Sequence, residues 1–260
     1  MSIPEAGGLS SLRTLLSAIL CLALPSAVPA AEEVRIMVAA NFAPTLERIV
    51  AEFTAVTGQR VLISSGSTGR HYAQIRNGAA FDIFLAADAE RPGLLEAQGF
   101  GVPGSRFSYA TGRLALWAPG EARIPDPAGL LRAGRFGHLA IANPRLAPYG
   151  SAAQQVLEAW SLWQPLQPKL VRGENVGQAF HYVVSGNAEL GLVALSQVLA
   201  QDPTRRGAYS VLSETLHDPI DQQALLLRPG RAAASFLDYL RGDAAARQLR
   251  ASGYGVPAHP

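Results

Sequence analysis

Cysteine is almost absent from this 260-residue chain, where Cys21 stands alone. That residue lies in an N-terminal segment of export type, so the mature chain has no disulfide, no thiolate metal site and no thiol nucleophile. Long apolar runs are missing too. The run from Leu15 to Leu24 falls well short of the roughly 20 residues a membrane span requires, and nothing later supplies one. Basic runs interleaved with aromatics are also lacking: arginines dominate the bases but are scattered, and the formal net charge is only +2. A nucleic-acid partner is therefore not expected.

What the N-terminus does contain is a targeting pattern. Arg13 precedes the apolar run, and Val28-Pro29-Ala30 supplies small residues for cleavage. Residues 1–30 read as a signal peptide cleaved near Ala30, and the mature protein as exported, soluble and starting near Ala31. Lipidation at Cys21 is the alternative, but Leu20 stands where such signals place a small residue. Removing the segment takes away Glu5 and Arg13 and leaves the net charge unchanged.

The mature chain exceeds the ~100–150 residues of a common domain, and its pattern alternates strand and helix. Val34–Ala40 begins with alternation and ends apolar. Asn41-Phe42-Ala43-Pro44 can start a helix, with Leu46, Ile49, Val50, Phe53 and Val56 at helical spacing before Gly58. Val61–Ser64 and Phe81–Ala86 read as further strands. Tyr109–Trp117 reads as one long strand leading to a domain crossing in the Pro- and Gly-rich stretch 119–134. Beyond it, Leu139–Ala142, a helix over 152–160, a helix over 176–184 and Leu190–Ala194 repeat the first pattern. A return strand at 209–212, the apolar run 224–227 and a last helix over 232–250 finish the chain. This predicts an α/β fold with two lobes on mixed, mainly parallel sheets joined by a two-crossing hinge: residues 31–111 with 216–260, and residues 112–215. A ligand cleft between strand ends follows.

Two clusters, Ser64-Ser65-Gly66-Ser67-Thr68-Gly69 and Pro148-Tyr149-Gly150-Ser151, fall where strand-like runs pass into helix-like runs. Backbone N–H groups and hydroxyls at helix N-termini can grip a small oxyanion without a counter-charge.

With Val38-Ala39-Ala40-Asn41-Phe42, Gln74-Ile75, Asp82–Asp88, Glu174-Asn175-Val176 and Leu190-Gly191-Leu192-Val193 added to these clusters, nearly the whole mature chain resembles the periplasmic molybdate-binding proteins of ABC importers. The resemblance implies the type II periplasmic binding protein fold and a monomer without catalytic activity or cofactor. It further implies capture of molybdate or tungstate between the lobes and delivery to a membrane permease. The implied contacts are Ala40-Asn41, Ser67 with Thr68, Tyr149 and the N–H of Val176. All of them meet the anion's oxygens, and none ligates the metal directly. Many members carry a tyrosine after the Gly-x-Val strand where this chain has Ala194, so the Tyr149 hydroxyl is expected to take its place.

The chemistry suits a fully ionised tetrahedral dianion, which offers only acceptors, whereas protonated phosphate would bring a proton needing an acceptor. Four helix N-termini supply roughly +0.5 charge each, about +2 in all before solvent weakens it. Receptors for sulfate- or phosphate-like anions are the nearest alternative reading. A serine hydrolase is more distant, because neither Ser67 nor Ser151 has Gly-x-Ser-x-Gly spacing. Asn41 is expected to cap its helix as well as bind, Asp88 to cap the segment after it, and Arg70 and His71 to lie on an exposed helical turn.

Overall fold

The structure, a computed structural model, describes residues 1–2 and 33–257. The expected signal peptide, its cleavage site, Cys21 and His259 lie outside the described residues, apart from Met1 and Ser2. Residues Ala31–Pro260 form one compact unit on two five-stranded sheets.

The chain opens β1 (Glu33–Ala39), α1 (Ala43–Thr57), β2 (Arg60–Gly66), α2 (Thr68–Arg76), β3 (Ile83–Leu85), α3 (Glu90–Ala97) and β4 (Phe107–Gly112). It continues β5 (Leu114–Ala118), α4 (Pro127–Ala133), β6 (Leu139–Ala142), α5 (Pro148–Ala159), α6 (Trp163–Leu166), β7 (Leu170–Gly173), α7 (Val176–Val184), β8 (Leu190–Ala194), α8 (Leu195–Leu199) and β9 (Ala208–Val211). It closes with β10 (Ile220–Leu226), α9 (Arg231–Arg241) and α10 (Asp243–Ala251).

The first sheet has the order β2-β1-β3-β10-β4 and the second β7-β6-β8-β5-β9. In each, four strands run one way and one runs against them, β10 in the first and β5 in the second. Those two reversed strands lie where the chain passes between sheets. β4 ends at Gly112 and β5 begins at Leu114, and β10 returns from the second sheet to pair Ile220 with Gly112. The run read as one long strand is thus two strands in different sheets. Alternation reports which residues are buried, not which sheet buries them.

Separate cores fill the two halves. Ile36, Phe53, Phe236 and Leu249 belong to the first, where the Phe53 and Phe236 rings meet edge to face at 5.2 Å. Leu116, Trp117, Ile141 and Phe180 belong to the second, with Trp117 stacked on Phe180 at 4.9 Å. α1 stops at Gly58, whose φ of 71° is easy only for glycine. The last helix is interrupted: Gly242, extended at φ −78° and ψ 167°, closes α9 and opens α10. The Pro- and Gly-rich stretch also contains a short helix, α4, capped where Asp126 accepts the Gly129 N–H at 2.9 Å.

Candidate functional site

Four strand-to-helix junctions, two from each sheet, converge on one small cavity. They are β1–α1, β2–α2, β6–α5 and β7–α7, all at the carboxyl ends of parallel strands, the usual ligand position in open α/β sheets. The cavity brings together all six residues singled out in the sequence, Ala40, Asn41, Ser67, Thr68, Tyr149 and Val176. Ala39, Gly66, Ala87, Ala147, Pro148 and Asn175 complete the lining, which holds no Lys, Arg, His, Asp or Glu.

The donors come from the local chain geometry. The N–H groups of Asn41, Ser67, Tyr149 and Val176 have no hydrogen-bond partner among the described residues. Those of Tyr149 and Val176 belong to first helical turns, where no carbonyl lies one turn back to accept them. Pro148 at the start of α5 fixes the entry geometry and makes Pro148-Tyr149-Gly150 the first turn of that helix rather than a loop before it. Asn175 caps α7 by accepting the Gln178 N–H at 2.9 Å. Ser67 caps α2 by accepting the Arg70 N–H at 3.3 Å, which leaves its hydroxyl proton to donate. Thr68 Oγ1 accepts the Ala87 N–H at 3.1 Å and ties α2 to the end of the third strand.

Side chains beside the cavity depart from several expectations. Asn41 does not cap α1: Phe42 holds that position without a side-chain bond. The Asn41 amide instead donates to Gln222 Oε1 at 3.0 Å and Tyr254 Oη at 3.1 Å. The Tyr149 hydroxyl lies at the strand crossover, where a Cβ on Gly112 would collide with it and stand 2.8 Å from Gln222 Nε2. Burial, and then the neighbouring Tyr254, push the Tyr149 phenol well above its ordinary range, so it stays neutral. Ala194 is buried and outside the lining.

His71 is buried rather than exposed. Its Nε2 lies 3.2 Å from the Val38 carbonyl and its Nδ1 3.1 Å from Gln74 Oε1. Burial lowers its pKa despite both contacts. Gly66 is required there, since a Cβ would come within 2.9 Å of the imidazole. Asp88 caps the following turn through the Arg91 N–H at 2.9 Å and pairs with the Arg91 guanidinium. Asp82 accepts the Arg35 N–H at 2.8 Å and pairs with Arg228 at 3.2 Å. Among the described residues no group of three or more His, Cys, Asp and Glu could hold a metal ion, and no helix is long and apolar enough to cross a membrane.

The halves touch across the mouth of the cavity. The Gly69 N–H donates to the Leu146 carbonyl at 2.8 Å. The Arg70 guanidinium reaches both Glu174 oxygens, at 2.8 and 3.0 Å, and Ser196 Oγ donates to the Asn41 carbonyl at 3.1 Å. Gln222, Tyr254 and Ser196 are the polar residues around the site that the motifs did not reveal. Gln222 had one legible signal, as an amide next to the apolar run 224–227.

Residues 34–255 match the bacterial extracellular solute-binding protein family. The chain is 44% identical over 229 residues to the molybdate-binding protein ModA of Azotobacter vinelandii, covering 87% of this chain and 91% of that one. To the molybdate-binding protein ModA of Rhodobacter capsulatus it is 41% identical, covering 93% and 94%. The solved structure of the Azotobacter vinelandii periplasmic molybdate-binding protein superposes with a TM-score of 0.82 at 38% identity, over 86% of this chain and all of that one. Architecture, matched length and identity agree, and the chain belongs to the bacterial extracellular solute-binding protein family.

Proposed function

We propose that this chain is a periplasmic receptor for molybdate or tungstate that delivers its ligand to the permease of an ABC importer. The observation that carries the reading is the set of four unpartnered N–H groups, two from each half, at a cavity without an ionised side chain. Such a lining offers donors to a fully ionised anion. The Ser67 hydroxyl adds a fifth. With about 1.5–3 kcal/mol for each hydrogen bond to a charged group, the five contacts give roughly 7.5–15 kcal/mol, from about the ~8 kcal/mol of micromolar binding to nearly twice it before the cost of closure.

The halves act as the two lobes, residues 31–111 with 216–260 and residues 112–215, and close on the anion as a monomer without cofactor. Since sulfate is also a tetrahedral dianion, the choice of the larger ion rests on the separation at which the lobes meet. The 44% and 41% identical relatives are both molybdate-binding proteins, which favours that ion over sulfate or phosphate. No role as a serine hydrolase is assigned, because Ser67 serves as a helix cap and, among the described residues, no histidine hydrogen-bonds it.

Isothermal titration with molybdate, tungstate, sulfate and phosphate tests this reading. The expected result is tight 1:1 binding of molybdate or tungstate with at least tenfold weaker sulfate. Tight binding of sulfate or phosphate without molybdate would remove the assignment.

A further inference from the structure

Three buried polar atoms without a hydrogen-bond partner belong to neighbouring residues behind the anion cavity: Asn41 Oδ1, Tyr149 Oη and Gln222 Nε2. Unpaired buried polar groups are uncommon, because each forfeits its hydration. These three are chemically complementary. One is an acceptor, one a donor, and the phenol is both.

Their placement is equally specific. Gln222 is fully buried on β10, at the register shift beside Gln223. Its Oε1 already accepts from Asn41 Nδ2 and from Tyr109 Oη, each at 3.0 Å. Its Nε2 and Tyr149 Oη flank one point, the position a Cβ on Gly112 would occupy, and the amides of Gln222 and Asn41 both face that phenol. Were Gln222 Nε2 turned to donate to Tyr149 Oη, the phenol proton would be left for Asn41 Oδ1, and the three side chains would close a ring. Asn41 comes from the first sheet's β1–α1 junction, Tyr149 from the second sheet's α5, and Gln222 from a strand beside the crossover.

We propose that Gln222 is a positioning residue of the anion site: its amide ties Asn41 to Tyr149 across the cleft and fixes the spacing of the two backbone N–H donors those residues carry. This rests on the oxyanion-receptor reading. It gives the Tyr149 phenol a role distinct from touching the ligand, and it makes Gln222 a determinant of which anion size fits. The glycine at 112 is part of the arrangement, since any side chain there would displace the phenol.

The test is a double-mutant cycle with Gln222→Met and Tyr149→Phe, titrated with molybdate and with sulfate. Gln222→Met keeps the volume and removes both polar atoms. Each single variant is expected to weaken molybdate 10- to 100-fold and to narrow the molybdate-to-sulfate ratio at least fivefold. The double variant should be no more than threefold worse than the weaker single. Gln222→Glu, which keeps an acceptor for Asn41 and loses the donor to Tyr149, serves in the same cycle if Gln222→Met does not fold. Multiplicative losses, or an unchanged ratio between the anions, overturn the proposal and mark Gln222 as ordinary core. A wild-type protein that binds neither anion overturns the receptor reading together with it, whereas tight wild-type binding with uncoupled variants overturns this inference alone.

Discussion

Gly69→Ala separates lobe closure from ligand contact. Gly69 sits in the first turn of α2, and its N–H donates across the cleft to the Leu146 carbonyl at 2.8 Å. An alanine Cβ would stand 2.9 Å from that oxygen and 3.2 Å from the Leu146 Cα. Both are backbone atoms, so no flexible side chain can yield. Forcing the lobes apart costs about 1 kcal/mol for the cross-cleft hydrogen bond and about 1–3 kcal/mol for overpacking. The sum, about 2–4 kcal/mol, corresponds to a roughly 30- to 1,000-fold weaker dissociation constant. Gly69 is not itself among the residues lining the cavity, so the loss should appear as faster release with little change in association. Calorimetry gives the affinity and stopped-flow tryptophan fluorescence the two rates. On the proposed closure the lobes part without ligand, which would relieve the clash, and alanine is the better helix former by about 1 kcal/mol. Its melting temperature should therefore hold or rise. A dissociation constant within threefold of wild type would refute the reasoning, as would an equal loss of stability without ligand.

Four further outcomes are expected. Ser67→Ala should weaken molybdate roughly 10- to 150-fold by calorimetry, through loss of a donor worth about 1.5–3 kcal/mol against a charged acceptor. Thr68→Val should lower the melting temperature instead, since its hydroxyl holds the Ala87 N–H. Arg70→Gln should cost less than about fivefold, and nothing in high salt, because the Arg70–Glu174 pair is substantially exposed. For His71, the folded pKa lies below its ordinary value near 6.5. The unfolded chain then binds the extra proton, so stability is full above about pH 6.5 and is lost as the pH falls through the lowered folded pKa. The decline in melting temperature between pH 7 and pH 5 should shrink in His71→Gln.

The alternation of strand and helix was legible because each parallel strand carries its own apolar run and each helix its own spacing. Val176–Val184 and Leu190–Ala194 fall where the periodicity puts them. The cavity residues were legible for a related reason: Ser67 and Tyr149 belong to short Ser- and Gly-rich junctions, and junction chemistry is local. The partners of the Asn41 side chain were not. Gln222 and Tyr254 lie 181 and 213 residues away along the chain, and no local pattern encodes such a meeting. His71 escaped for a different reason, since its burial depends on Gly66 leaving room for the ring. The strand boundary at Gly112 was hidden because apolar residues continue on both sides of it while the burying sheet changes.

The pairing of Gly112 with Ile220 has a mechanical meaning. The two chain passages between the sheets run next to each other, hydrogen-bonded as neighbouring strands near the crossover. Two separate tethers would let one half swivel, slide and twist against the other. A two-ply strap bends readily about the line across its width and resists shear and torsion. On the proposed closure, the moving half would travel on an arc with essentially one degree of freedom and return to the same register at every stroke. Donors carried on opposite halves can then meet within the few tenths of an ångström that hydrogen bonds tolerate, and alignment is built into the strap before any ligand arrives.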